Sequence, residues 1–126
     1  MPLSINHNLQ TNSVSGVMAD VATAGSILVP VPFKGSVIGG GCGISAALTG
    51  TDTVITVSKI NPQGVTTIGT ITIPAAGSGA GSQYGLVITG NAAACHVEAF
   101  ESLQFASDGA GTGPAVANFA ALIRGG

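Results

Sequence analysis

Charge is what this sequence has least of: three Lys or Arg and five Asp or Glu in 126 residues, 6% of the chain. A soluble domain carries about a quarter charged residues. So few ionic groups leave a free monomer little means of resisting association. They also remove most of the acids, bases and cations that a catalytic site uses. The permanent cations are Lys34, Lys59 and Arg124, far apart in sequence. Neutralising nucleic-acid phosphate takes several clustered cations, so nucleic-acid binding is not expected, nor is a basic helix lying on a membrane surface.

Aromatics are scarce as well, with no Trp, one Tyr (Tyr84) and four Phe (Phe33, Phe100, Phe105 and Phe119). Sugar-binding sandwiches stack their ligands on exposed rings, and here the core can claim all four Phe. No stretch approaches the roughly 18 apolar residues of a membrane span. The longest concentrated run, Ile27 to Phe33, is broken by Pro30 and Pro32. Met1 to Gln10 has no cationic segment leading into an apolar one, so a secretory signal is not expected. The two cysteines, Cys42 and Cys95, read as reduced thiols packed as small apolar groups. With His96 they lack the paired spacing that marks a zinc site, and no metal or other cofactor is expected.

What is abundant is glycine, 20 residues, within a chain that is 45% hydrophobic. From Ser26 onward the pattern is β. Pro30 and Pro32 at alternate positions suit an edge strand. Gly39-Gly40-Gly41 inside a β run predicts a bulge or sharp bend. Thr53 to Ile60 and Val65 to Ile73, joined by Asn61-Pro62-Gln63-Gly64, make the clearest hairpin. Ile71 and Ile73 share one face of its second strand, and Ile68 is expected on the other. Tyr84 to Thr89, Leu103 to Ser107 and Ala115 to Arg124 are further strands, with Phe119, Ala121 and Ile123 on one face of the last. Seven or eight short strands without intervening helices predict an all-β, antiparallel sandwich over Ser26 to Gly126.

Met1 to Gly25 differs, being rich in Asn, Ser and Thr. Val14, Val17, Met18 and Val21 fall at helical spacing, which admits a short helix near Ser13 to Ala24. The segment reads either as an arm or first strand lying on the domain, or as an arm reaching a neighbouring subunit.

Catalytic constellations are weak. Glu98 and Glu101 are the nearest acids, a pair that glycosidase-like geometry would need. His7 or His96 could be combined with Asp20, Asp52 or Asp108, but no GxSxG nucleophile elbow accompanies them. Cys95 and His96 are neighbours that a strand would point to opposite faces. No catalytic residue is assigned, and an enzyme is not expected.

The runs Phe33-Lys34-Gly35-Ser36-Val37-Ile38, Ala47-Leu48-Thr49-Gly50-Thr51-Asp52 and Gly69-Thr70-Ile71-Thr72-Ile73-Pro74-Ala75 carry a resemblance. Together with Leu103 to Gly109 and the closing Ile123-Arg124, they resemble small decoration (cement) proteins of tailed bacteriophage capsids. The resemblance spans Ile27 to Arg124. One departure is Phe100-Glu101, where such proteins often have Gly-Asp, which shifts the expected turn. The family implies a jelly-roll-like sandwich with an N-terminal arm, usually trimeric, seated on the virion's capsid surface after assembly in the host cytoplasm. There it clamps neighbouring major capsid proteins without catalysis. The capsid-contact candidates are then Leu3, Ile5, Leu9, Val14, Val17 and Met18 of the arm. The alternative is a receptor- or carbohydrate-binding sandwich of a phage fibre or tail.

Overall fold

The β-branched run from Thr53 and the glycine-closed turn after Asn61 do fold as a hairpin. In the computed structural model, which describes residues 11–125, it is the centre of one of two antiparallel sheets. The strands in chain order are β1 (Thr11–Met18), β2 (Gly25–Val31), β3 (Gly35–Ile44), β4 (Thr53–Asn61) and β5 (Gly64–Ile73). They continue with β6 (Gln83–Gly85), β7 (Val87–Ile88), β8 (His96–Val97), β9 (Glu101–Ser107) and β10 (Ala117–Gly125). A single helical turn, α1 (Ala92–Cys95), starts at Asn91, whose side chain accepts the Ala94 N–H.

One sheet runs β1-β10-β3-β6 with β8 also on β3, and the other runs β2-β9-β4-β5-β7. The chain passes repeatedly from one sheet to the other, so the two faces close over a common interior as a jelly-roll-like sandwich. Alternation decides what enters it. Ala117, Phe119, Ala121 and Ile123 of β10 are buried, and the residues between them point out. Phe105 from β9 and Phe119 from β10 stack across the interior with ring centroids 4.9 Å apart, tying sheet to sheet.

Three local departures from sequence periodicity have clear causes. Between Val37 and Gly39 of β3, Ile38 has no partner on β10, so the bulge predicted at the glycine run sits at its leading edge. The strand continues through all three glycines. In β5, Ser58 pairs with Thr67 and Val57 with Gly69, which leaves Ile68 as the extra residue. That bulge turns Ile68 into the core with Ile71 and Ile73, correcting the face expected from simple alternation. Tyr84 to Thr89 divides into β6 on one sheet and β7 on the other.

The helix admitted near Ser13 to Ala24 is absent. Thr11 to Met18 is instead an edge strand in unbroken register with β10, from Thr11 opposite Arg124 to Met18 opposite Ala117. β-branched and small polar residues favour the pleat over the helix. Val21 beyond it is fully buried, and its N–H donates to the Ala115 carbonyl. The described part of the expected arm is thus built into the sandwich. β2, with Pro30, lies at the edge of the other sheet, where a missing N–H is tolerated.

The only buried polar residues described are Thr53, Ser58 and Ser107. The Thr53 hydroxyl accepts the Gly111 N–H, and Ser107 donates to the Val21 carbonyl while accepting the Gly109 N–H. No buried side-chain polar atom among the described residues lacks a partner.

Candidate functional site

The few charges are sorted by position and mostly engaged with backbone. Asp20, Asp52 and Asp108 lie in the connections at one end of the sandwich. Asp20 Oδ1 accepts the N–H groups of Ala22 and Ala115, Asp52 that of Ala75, and Asp108 those of Val54 and Ala110. Lys34, Lys59, Glu98, Glu101 and Arg124 lie toward the opposite end. Lys59 Nζ donates to the carbonyls of Ala93 and His96, and Glu101 accepts from Asn61 Nδ2 and from the Glu98 N–H. Glu98 pairs with His96 Nε2. The expected carboxylate pair is therefore a loop clasp rather than two acids facing a substrate-sized gap.

These clasps set an acid response. The N–H of Ala22, then that of Ala115, and the Thr23 hydroxyl hold Asp20 below its usual 3.8, outweighing partial desolvation. The Glu98 N–H does the same chiefly for Glu101, below 4.5. A carboxylate with a lowered folded-state pKa stabilises the fold above its ordinary value and loses that contribution as pH falls through the folded one. Thermal stability should thus fall below about pH 4. Asp20→Asn, which keeps the Oδ1 acceptor, should flatten that fall in a Tm series from pH 7 to pH 2. A slope equal to that of the parent would exclude Asp20 as its source.

Neither broad face carries charge along its middle. On the outer face of the first sheet the cross-strand rows are Ser13-Leu122-Gly39, then Ser15-Ala120-Gly41-Gly85, then Val17-Asn118-Gly43-Gln83. Here a hollow of about 590 Å³ opens between β10 and β6, floored by the Gly40 to Gly43 backbone and walled by Ala120, Leu122, Gln83 and Tyr84. Some of its glycines are imposed from within. A Cβ at Gly41 would collide with the Tyr84 carbonyl oxygen. Others are not: at Gly43 a Cβ would meet nothing closer than 3.8 Å, and at Gly85 nothing within 4 Å.

The capsid-contact candidates separate. Leu3, Ile5 and Leu9 lie outside the described residues. Met18 is buried, and Val14 points inward and packs against the core, so neither is a surface contact. Pairing with β10 is what turns the inward half of β1 into the core. Val17 alone projects outward, 58% exposed. Cys42 and Cys95 are free and buried, and burial pushes the Cys42 thiol up to about 11. No three His, Cys, Asp or Glu side chains converge as a metal set among the described residues.

Phe100 is the residue that sequence reading misplaced. The core takes Phe105 and Phe119, but Phe100 is 84% exposed. Its φ is 70°, the left-handed region that glycine favours. Phe100 thus occupies a turn position whose backbone suits glycine. The strain is about 1 kcal/mol or more, and the exposed ring returns nothing to the fold.

The sequence matches no protein-family model and no curated protein. Among solved structures the chain is similar to "Structure of Eiger TNF from S. frugiperda", at 10% identity over 90% of this chain and 92% of that one, with a TM-score of 0.48.

Proposed function

We propose that this protein is a capsid decoration (cement) protein, which binds the outer surface of a phage head as a homotrimer and clamps neighbouring major capsid proteins without catalysis. The observation that carries the reading is a sandwich whose broad faces are uncharged, with its few ionic groups held at the two ends, mostly in loop clasps. Contacts made from apolar area, hydroxyls and exposed backbone are little screened by salt, whereas exposed ion pairs are weak and screened. Such faces suit attachment to a shell in variable ionic strength.

The test is to mix the purified protein with undecorated capsids and image them. Saturable occupancy at threefold positions is expected, unchanged between about 0.1 M and 1 M salt, where the Debye length falls from about 10 to 3 Å. Failure to bind any capsid, or binding abolished by salt, would sink the proposal. The contribution of Leu3, Ile5 and Leu9 is measured by deleting residues 1–10 and no further, because a longer deletion removes β1 and the buried Met18. The second reading, a receptor- or carbohydrate-binding module, is favoured by the exposed ring of Phe100. Glycan-array binding lost in Phe100→Ala would support it.

A further inference from the structure

Among the described residues, two features have no use within a single copy: a projecting ring and an apolar hollow. We propose that Phe100 of one copy inserts into the hollow on the outer face of the β1-β10-β3-β6 sheet of a second copy. The proposal rests on the decoration-protein reading only for the expectation that copies associate.

The turn that carries the ring is held firmly. The Phe100 N–H donates to the Val31 carbonyl at 2.6 Å, and the Glu101 N–H closes the turn on the Glu98 carbonyl. Glu101 clasps the same turn from its side chain, and Lys59 anchors the chain leading into it through the His96 carbonyl at 2.8 Å. A chain with so few charges thus commits two of them to fixing this loop. A preorganised aromatic loses little freedom on association, which is the usual character of an interface anchor.

The hollow is a matching receptor. Its walls, Ala120, Leu122, Gln83 and Tyr84, expose mostly apolar surface, and Leu122 is 42% exposed. Its volume admits a phenyl ring with the loop that carries it. Gly43 and Gly85 keep it open although neither the backbone nor the neighbouring atoms of this chain demand glycine there. Glycine inside a strand is destabilising, so an external surface approaching closely is the physical reason for the space.

The ring cannot fill its own hollow. Phe100 follows β8, which pairs with β3 at Gly35, while the hollow is centred near Cys42. Seven residues of strand separate them, roughly 20 Å. Knob and hollow lie on different parts of the surface, so the contact is heterologous and repeats from copy to copy until a ring closes. The absence of charge on the receiving face means that identical copies meet there without repulsion.

The experiment uses the isolated full chain in sedimentation equilibrium, with no capsid present. The parent should associate as a closed ring. Phe100→Asn relieves the left-handed strain, so its Tm should be unchanged or higher while its association constant falls by about 30-fold or more, as for a hot-spot anchor. Gly85→Val fills the hollow in open space and should dissociate the assembly equally. Mixing Phe100→Cys chains with Gly43→Cys chains should give a disulfide between unlike chains, with the buried native thiols as bystanders. A parent that is monomeric at all concentrations, either variant keeping the parent assembly, or no mixed disulfide would overturn the inference. Capsid binding by a chain that does not self-associate would leave the decoration reading standing and this one refuted.

Discussion

Phe105→Ala should destabilise the fold by about 3–5 kcal/mol. The ring is 1% exposed, and its stacking on the equally buried Phe119 joins β9 of one sheet to β10 of the other. The rest of the interior is built from Val, Ile, Leu, Ala and single residues such as Met18, which have no reach to close a hole of phenyl size. The lost stacking adds to the lost burial. Against a total stability of about 5–15 kcal/mol, the variant should melt more than about 10 °C below the parent. Chemical denaturation would check the value, and a loss under about 1 kcal/mol would mean that the two rings do not form the central contact. Phe105→Leu, which keeps most of the volume, should lose markedly less.

Gly35→Ala should cost about 2–3 kcal/mol although it adds a single methyl group. Gly35 is buried where β3 lies between β8 and β10, opposite Val97 and Gly125. A Cβ there would stand 2.5 Å from the Arg124 carbonyl oxygen and 2.6 Å from Ile123 Cγ2. The oxygen is fixed by the strand and the side chain by the core, so neither can give way cheaply. Gly43→Ala on the same strand is the control, with its nearest neighbours at 3.8 Å. It should be neutral or stabilising by about 0.5–1 kcal/mol, because alanine fits a strand better than glycine. Equal Tm values for the two variants would show that space around β3 does not distinguish its glycines.

Particular elements show how far the sequence reaches. The β4–β5 hairpin was legible because both its strands and its turn are local: a β-branched run, Pro-Gly in the turn, a second β-branched run. The edge position of β2 followed from Pro30 for the same reason, since a missing N–H is a property of one residue. β1 was not legible. Its pattern is set by a partner about a hundred residues away, and tertiary pairing overrides local spacing. Ile68 was misplaced because a bulge reverses alternation without any marker in composition. For the candidate surface, the scarcity of charge was plain, but its sorting to the two ends appeared only once the strands were threaded. Phe100 was assigned to the core by counting rings. Only its backbone angle and exposure revealed the other use.

The pairing of β1 with β10 also bears on how the chain is made. In the first sheet, the strand between β1 and β3 is Ala117–Gly125, so neither can be hydrogen-bonded on that side until those residues have been synthesised. Domains emerge at about 5–20 residues per second, which leaves that sheet incomplete for several seconds at least. During that interval β1 is an extended segment without lysine, proline or bulge to protect it. Nascent chains on one message are then close neighbours with identical sticky edges. Yield in a host should therefore depend on how fast translation passes β9 and β10, and on chaperone capacity, more than on the stability of the finished fold.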